Sequence, residues 1–316
     1  MTNTIQSRRG RRGFIKTSAS LALGLALPSL PPFLSSALAK DAKATKPATI
    51  TTLNNGIAIP LVGFGTSRMQ GSECQKAVEN AIEVGYRLID TAQMYGNESD
   101  VGNAINSALK GGKLKRKELF ITTKLSSDMS YEETLKATQE SLKKLQIDYV
   151  DLLLLHRNFP QSVPMYKAME KLRKEGKIKS LGISNFTPDV YSEFVKKCET
   201  LPALNQMETH IFYQQKSLRE VMKSYGTKLE AWSPFANGKN NFFANPTLVS
   251  IAKKHDKTPA QVALRFLVEQ DIIVIPKTAK KERMIENISI FDFALDSTDR
   301  EALNALDTNE PLFKWF

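Results

Sequence analysis

The chain is predicted to fold as an α/β protein, a closed (β/α)8 TIM barrel preceded by an N-terminal β-hairpin. Two observations carry this. From residue 50 onward, eight short apolar runs recur with helical patterns between them. Each run is almost continuously apolar, as in strands of a parallel sheet whose outer face is covered by helices. Eight such units within 316 residues fit one barrel. An open, doubly wound sheet is the competing architecture. It is disfavoured because Gly63-Phe64-Gly65-Thr66-Ser67-Arg68 lacks the third glycine of the dinucleotide fingerprint.

The elements follow in order. Ile50-Thr51-Thr52-Leu53 and Ile57-Ala58-Ile59 flank Asn54-Asn55-Gly56, a tight-hairpin signal because Asn and Gly accept positive φ. The barrel strands are predicted at Leu61–Gly65, Tyr86–Asp90, Leu119–Lys124, Tyr149–His156, Ile178–Ser184, Leu204–Glu208, Lys228–Trp232 and Ile272–Lys277. Cys74–Val84 reads as a helix with Ala77, Val78, Ala81 and Ile82 on one face. Tyr131–Leu145 opens on Ser130 with Glu133 at the capping-box position, and Val163–Glu175 follows. Pro259–Glu269 is an extra helix before the eighth strand, and Thr298–Leu306 is another near the end.

Composition suits a soluble globular enzyme, with 41% hydrophobic and 24% charged residues. The net charge of +11 suggests nucleic acid only superficially. Arg8, Arg9, Arg11, Arg12 and Lys16 concentrate charge in a 39-residue segment without acids, and the other lysines are scattered over helical faces. No basic stripe interleaved with aromatics is present, so no nucleic-acid partner is expected. Cys74 and Cys198 are too few and too far apart for a disulfide framework, and the three histidines form no metal-binding motif.

Residues 1–39 read as an export leader. A basic segment precedes the modestly apolar Thr17–Leu27, and Ala37-Leu38-Ala39 supplies a cleavage pattern. The apolar run is too short for a stable membrane anchor. Arg11-Arg12-Gly13-Phe14-Ile15-Lys16 resembles the twin-arginine (Tat) pattern, with Gly10 where Ser or Thr usually stands. The expectation is a Tat machinery partner, a periplasmic product, a flexible lead-in over residues 40–49 and a monomeric barrel over 50–316.

Three predicted strands end in ionisable residues: Asp90 with Tyr95 just beyond, Lys124, and His156. Charge at the edge of an apolar core is costly unless paired. Strand ends of such a barrel face one mouth, so these side chains converge there. Reducing a carbonyl needs a hydride donor and a proton donor for the developing alkoxide. A phenol is a weak acid at neutral pH unless a nearby cation stabilises its phenolate. Lys124 is that cation, Asp90 its counter-ion, and His156 the group that orients the carbonyl oxygen. A purely structural Asp90–Lys124 ion pair between two strands is the bland alternative.

Gly85-Tyr86-Arg87-Leu88-Ile89-Asp90-Thr91-Ala92 with Tyr95, Gly182-Ile183-Ser184-Asn185-Phe186, and Ile275-Pro276-Lys277-Thr278 with Arg283, Glu286 and Asn287 together resemble the aldo-keto reductase family. The resemblance runs from residue 50 to about 310 and leans to the bacterial diketogluconate reductase-like branch. It implies reduction of a small aldehyde or ketone with NADP(H), using Asp90, Tyr95, Lys124 and His156. It further implies that Ser184, Asn185 and Gln206 hold the nicotinamide carboxamide and that Trp232 stacks on its ring, where relatives usually carry Tyr. Gly65, Thr66, Ser233 and Phe235 would border the cofactor. Lys277, Thr278 and Arg283 would clamp the 2′-phosphate, and Glu286 and Asn287 the adenine. Arg157-Asn158-Phe159-Pro160 departs from the family's His-Trp-Pro, which leaves the pocket wall open. An NADP-binding regulatory protein without turnover, and a Schiff-base lyase or isomerase using Lys124, are the rival functions.

Overall fold

The computed structural model describes residues 49–110, 112 and 114–313. The leader and nearly all of the lead-in expected before residue 50 lie outside the described residues. Strands β1 (Ile50–Thr52) and β2 (Ala58–Pro60) pair antiparallel, Ile50 opposite Pro60 and Thr52 opposite Ala58. This is the expected hairpin. Asn54 and Asn55 at its tip donate to the carbonyls of Pro202 and Lys179, at 3.0 and 3.3 Å, next to where two barrel strands begin. The hairpin therefore closes the end of the barrel opposite its mouth.

Eight parallel strands follow with helices between them: β3 (Phe64–Gly65), α1 (Gly71–Val84), β4 (Leu88–Asp90), α2 (Glu98–Lys110), β5 (Phe120–Leu125), α3 (Tyr131–Leu145), β6 (Val150–Leu155) and α4 (Ser162–Lys174). The series continues with β7 (Ile178–Ser184), α5 (Pro188–Val195), β8 (Leu204–Glu208), α6 (Lys216–Lys223) and β9 (Lys228–Trp232). Helices α7 (Pro246–Lys254) and α8 (Pro259–Val268) precede β10 (Ile273–Val274), and α9 (Lys281–Ile288) and α10 (Ser297–Asn304) complete the fold. From β3 to β10 each strand pairs with its sequence neighbour. Leu152–Leu155 of β6 are wholly buried, as expected of a strand covered on both faces.

The first and last barrel strands meet at a short seam. Val62 bridges Val274 in parallel register. Gly63 N–H donates to the Val274 carbonyl at 2.8 Å, and Gly65 N–H to the Pro276 carbonyl at 3.2 Å. A Cβ on Gly65 would lie 2.9 Å from the Ile275 carbonyl oxygen, so only glycine permits this approach. Both seam strands are shorter than the sequence predicts. Pro276 has no N–H to extend the ladder, and the pairing ends there. The predicted capping box of α3 forms: Ser130 Oγ accepts from Glu133 N–H, and the Glu133 carboxylate accepts from Ser130 N–H. Among the described residues, no helix is long and apolar enough to cross a membrane.

Candidate active site

The strand ends enclose a cavity of about 910 Å3 at the barrel mouth. Asp90 reaches its floor as the last residue of β4. Tyr95 follows on the 3-10 turn Gln93–Tyr95, which ends because Gly96 takes a left-handed conformation with φ of 68°. Fully buried Asn97 holds this segment in place. It donates to the carbonyls of Thr66 and Met69, at 2.9 and 2.8 Å, and accepts from Thr91 Oγ1 at 2.6 Å.

Lys124 lies behind these groups, completely enclosed. Its ammonium donates to Asp90 Oδ1 at 2.6 Å, to the Thr91 carbonyl at 2.9 Å and to the Tyr95 phenol oxygen at 3.3 Å. All three of its hydrogens are therefore committed. Burial works against its charge, yet Asp90 and then Tyr95 hold its pKa above the ordinary value. For Tyr95, burial raises the pKa, and Lys124 pulls against that rise. The ammonium is thus the stabiliser of the phenolate that the sequence suggests, but it does not bring the phenol below its ordinary value in this state. Ser67 also hydrogen-bonds the phenol.

His156 packs edge-on against Tyr95, ring centroids 5.7 Å apart. Burial, then the cations Lys124 and Arg157, depress its pKa to about 3. The imidazole is therefore neutral at physiological pH and suited to hydrogen bonding. Its Nδ1 is 2.9 Å from Ser126 Oγ, which leaves Nε2 for the cavity.

The nicotinamide-side candidates form one connected set. Ser184 Oγ donates to the Gln206 carbonyl at 2.9 Å, and Asn185 Nδ2 to the His156 carbonyl at 3.0 Å. Trp232 Nε1 donates to Asn185 Oδ1 at 2.9 Å. Asn185 itself has φ of 63°, a left-handed conformation that asparagine tolerates. Gln206 Nε2 donates to Asp90 Oδ2 at 2.9 Å and also to Glu230. Its Oε1 is then free to accept from a carboxamide.

Gly65, Ser233, Phe235, Lys277, Thr278, Arg283, Glu286 and Asn287 line the rest of the cavity. Thr66 does not. It is buried, and its hydroxyl is spent on the Asp90 carbonyl at 2.9 Å, so it shapes the floor from behind. Lys277 and Arg283 are exposed and form no ion pair among the described residues. Thr278 Oγ1 accepts from Lys280 N–H at 3.1 Å just before α9 begins, and Arg283 stands in the first turn of that helix. Two unpaired cations beside a helix N-terminus suit a phosphate.

The region 236–245 is built of two 3-10 turns, Ala236–Gly238 and Phe242–Ala244. Phe242 is buried, whereas Phe243 is 48% exposed and lines the cavity rim. Beside this region, where Lys239 donates to the Leu312 carbonyl at 2.6 Å, Glu208 accepts from the backbone N–H of Leu312 at 2.7 Å and of Phe313 at 3.3 Å. Phe313 rests against Trp232, ring centroids 5.6 Å apart. Sequence reasoning did not assign Ser126, Glu208 or Glu230 to the site. Arg157, expected near the mouth, stacks over Phe159 at 5.1 Å and is not among the cavity residues.

The sequence model of the Aldo/keto reductase family matches residues 61–308. The chain belongs to this family. Among its relatives is a glyoxal reductase of Bacillus subtilis, 42% identical over 261 residues, covering 82% of this chain and 92% of the relative. A solved aldo-keto reductase from a Medee basin deep-sea metagenome library superposes with a TM-score of 0.80 at 40% identity, covering 84% of this chain and 97% of that one. A Bombyx mori aldo-keto reductase solved in complex with NADP gives 0.78 at 34% identity, over 85% and 96% of the two chains. Family, barrel fold and carbonyl oxidoreductase chemistry therefore agree.

Proposed function

We propose that this aldo-keto reductase converts a small aldehyde or ketone to an alcohol with NADPH, using Tyr95 as the proton donor. The observation that carries the reading is the Asp90–Lys124–Tyr95 hydrogen-bond chain, ending at the cavity beside neutral His156. The fit to NADP(H) rests on the outward Gln206 Oε1 and on the unpaired Lys277 and Arg283. When bound, the nicotinamide supplies a hydride. Ser184, Asn185 and Gln206 would hold its carboxamide, with Trp232 against its ring. Lys277, Thr278 and Arg283 would take the 2′-phosphate, Glu286 and Asn287 the adenine, and Gly65, Ser233 and Phe235 would border the dinucleotide.

In the tautomer in which Ser126 Oγ donates to Nδ1, the His156 Nε2–H orients the carbonyl oxygen, and Tyr95 delivers its proton as negative charge develops there. Lys124 stabilises the phenolate left behind, and Asp90 keeps the lysine charged and in place. The cavity wall carries the polar Ser67 and Arg68, with Met94 largely exposed beside them, which favours short, hydrated substrates such as dicarbonyls and keto-sugars. A glyoxal reductase among the relatives supports the same class.

A panel of glyoxal, methylglyoxal, keto-sugars and aromatic aldehydes, assayed with NADPH and with NADH, tests the reading. NADPH oxidation is expected with the small dicarbonyls. Arg283→Ala should weaken NADPH by about 10–100-fold and NADH little, since a charge-assisted contact to the 2′-phosphate is lost. Equal weakening of both cofactors would remove Arg283 from that role.

We further propose that residues 1–39 direct Tat export to the periplasm as a folded, cofactor-loaded protein. The paired Arg11-Arg12 and the weakly apolar Thr17–Leu27 support this. Replacing both arginines with lysine should trap an uncleaved precursor in the cytoplasm. Undiminished export of that variant would defeat the assignment.

A further inference from the structure

One buried acid, Glu230, takes no part in the chemistry above. It stands in the middle of β9, completely enclosed, opposite Gln206 of β8 and Ile273 of β10 in register. Its Oε1 accepts from Gln206 Nε2, the nitrogen that also donates to Asp90. Both amide hydrogens of Gln206 are thus drawn inward, and a flipped amide would set its oxygen against the Asp90 carboxylate. Glu230 Oε2 has no partner among the described residues. The groups that act on Glu230 are Asp90 from β4, Lys124 from β5 and the uncharged Gln206 from β8, while Ile273 of β10 carries no charge.

Asp90 and Lys124 already neutralise each other. A second carboxylate would leave net negative charge inside the barrel. Burial first, and Asp90 second, push the Glu230 carboxyl up to about 8. At neutral pH it is an uncharged acid.

We propose that Glu230 is a positioning residue for the reductase: it locks the Gln206 amide with Oε1 toward the nicotinamide, and when ionised it acts through Lys124 to keep Tyr95 protonated. The proposal rests on the reading of Tyr95 as proton donor. With one carboxylate nearby, the Lys124 ammonium stabilises the phenolate well. A second carboxylate offsets that cation and adds like charge to the cluster, so the phenol holds its proton to higher pH. Carbonyl reduction then extends into the alkaline range. Alcohol oxidation, which needs the phenolate as base, is held back there.

Two variants separate the functions. Glu230→Gln keeps an acceptor for Gln206 and cannot ionise; Glu230→Met removes both properties. Thermal melting of the cofactor-free protein reads the proton directly. A carboxyl raised from 4.5 to about 8 makes the wild type lose stability relative to either variant as pH climbs through that window, with no further change above it. In carbonyl reduction, the alkaline limb of kcat/KM should lie about one pH unit lower in either variant, or about a tenfold deficit on the limb. NADPH affinity at pH 7, followed by fluorescence, should fall in Glu230→Met and be better preserved in Glu230→Gln. Parallel melting curves, superimposable alkaline limbs or equal affinity losses would each overturn the proposal. If the limbs superimpose while Tyr95→Phe is inactive, Glu230 alone loses its role. An active Tyr95→Phe enzyme would overturn both readings, and the melting curves would still report the Glu230 proton.

Discussion

Tyr95→Phe is expected to lower carbonyl reduction by about 10²–10⁴-fold, the usual contribution of a general acid, while NADPH still binds. The ring that packs against His156 remains, and only the oxygen 3.3 Å from Lys124 disappears. That oxygen is held by Lys124 and Ser67, so the cofactor candidates Gln206 and Arg283 have no reason to change their geometry. Single-turnover kinetics with saturating NADPH would measure the chemical step without interference from product release. A Phe variant that retains more than about a tenth of wild-type turnover in that assay would exclude Tyr95 as the acid, given the size of effect such acids have.

Lys124→Met should damage both activity and stability. Removing one partner of a buried ion pair typically costs about 3–5 kcal/mol, because the other charge is left uncompensated. Here the survivor is Asp90, 1% exposed, with Gln206 as its remaining side-chain donor. Burial already raises its carboxyl, loss of Lys124 would raise it further, and the variant should therefore melt lower as pH increases above the carboxylate range. Pairing the change with Asp90→Asn should recover much of the stability without recovering turnover, since the phenolate still lacks a cation. If the double variant were as unstable as the single one, an uncompensated Asp90 charge could not be the cause.

Most of this architecture was legible in the sequence because a parallel barrel writes its strands as continuous apolar runs. β7, β8 and β9 coincide with their predicted bounds. Asp90, Lys124 and His156 were legible for a related reason, since each interrupts such a run at its end. Glu230 carries the same signal in a less conspicuous place, a carboxylate between Leu229 and Ala231 in mid-strand. Treating Lys228–Trp232 as a uniform apolar element concealed it. Ser126 gave no comparable sign, because a serine past a strand end is commonplace until folding sets it beside an imidazole. The Glu208 contact with Leu312 and Phe313 joins segments distant in sequence, and no local pattern encodes it. Thr66 is the converse case: it is adjacent to a cavity residue in sequence, yet its buried hydroxyl bonds the Asp90 carbonyl.

The narrow seam between Val62 and Val274 has a consequence for how the protein is made. Until residues 273–276 have emerged from the ribosome, Leu61, Gly63 and Gly65 have no partner on that side, and β9 also presents an open edge. The nascent chain therefore carries two unpaired strand edges through most of its synthesis, the condition that invites pairing with other chains. Ring closure comes last and removes both edges at once. Because Gly65 and Lys277 border the cavity from either side of that junction, a dinucleotide lying across them would bind only the closed ring and would hold it shut. Cofactor supply during synthesis would then govern the yield of folded protein as well as its activity.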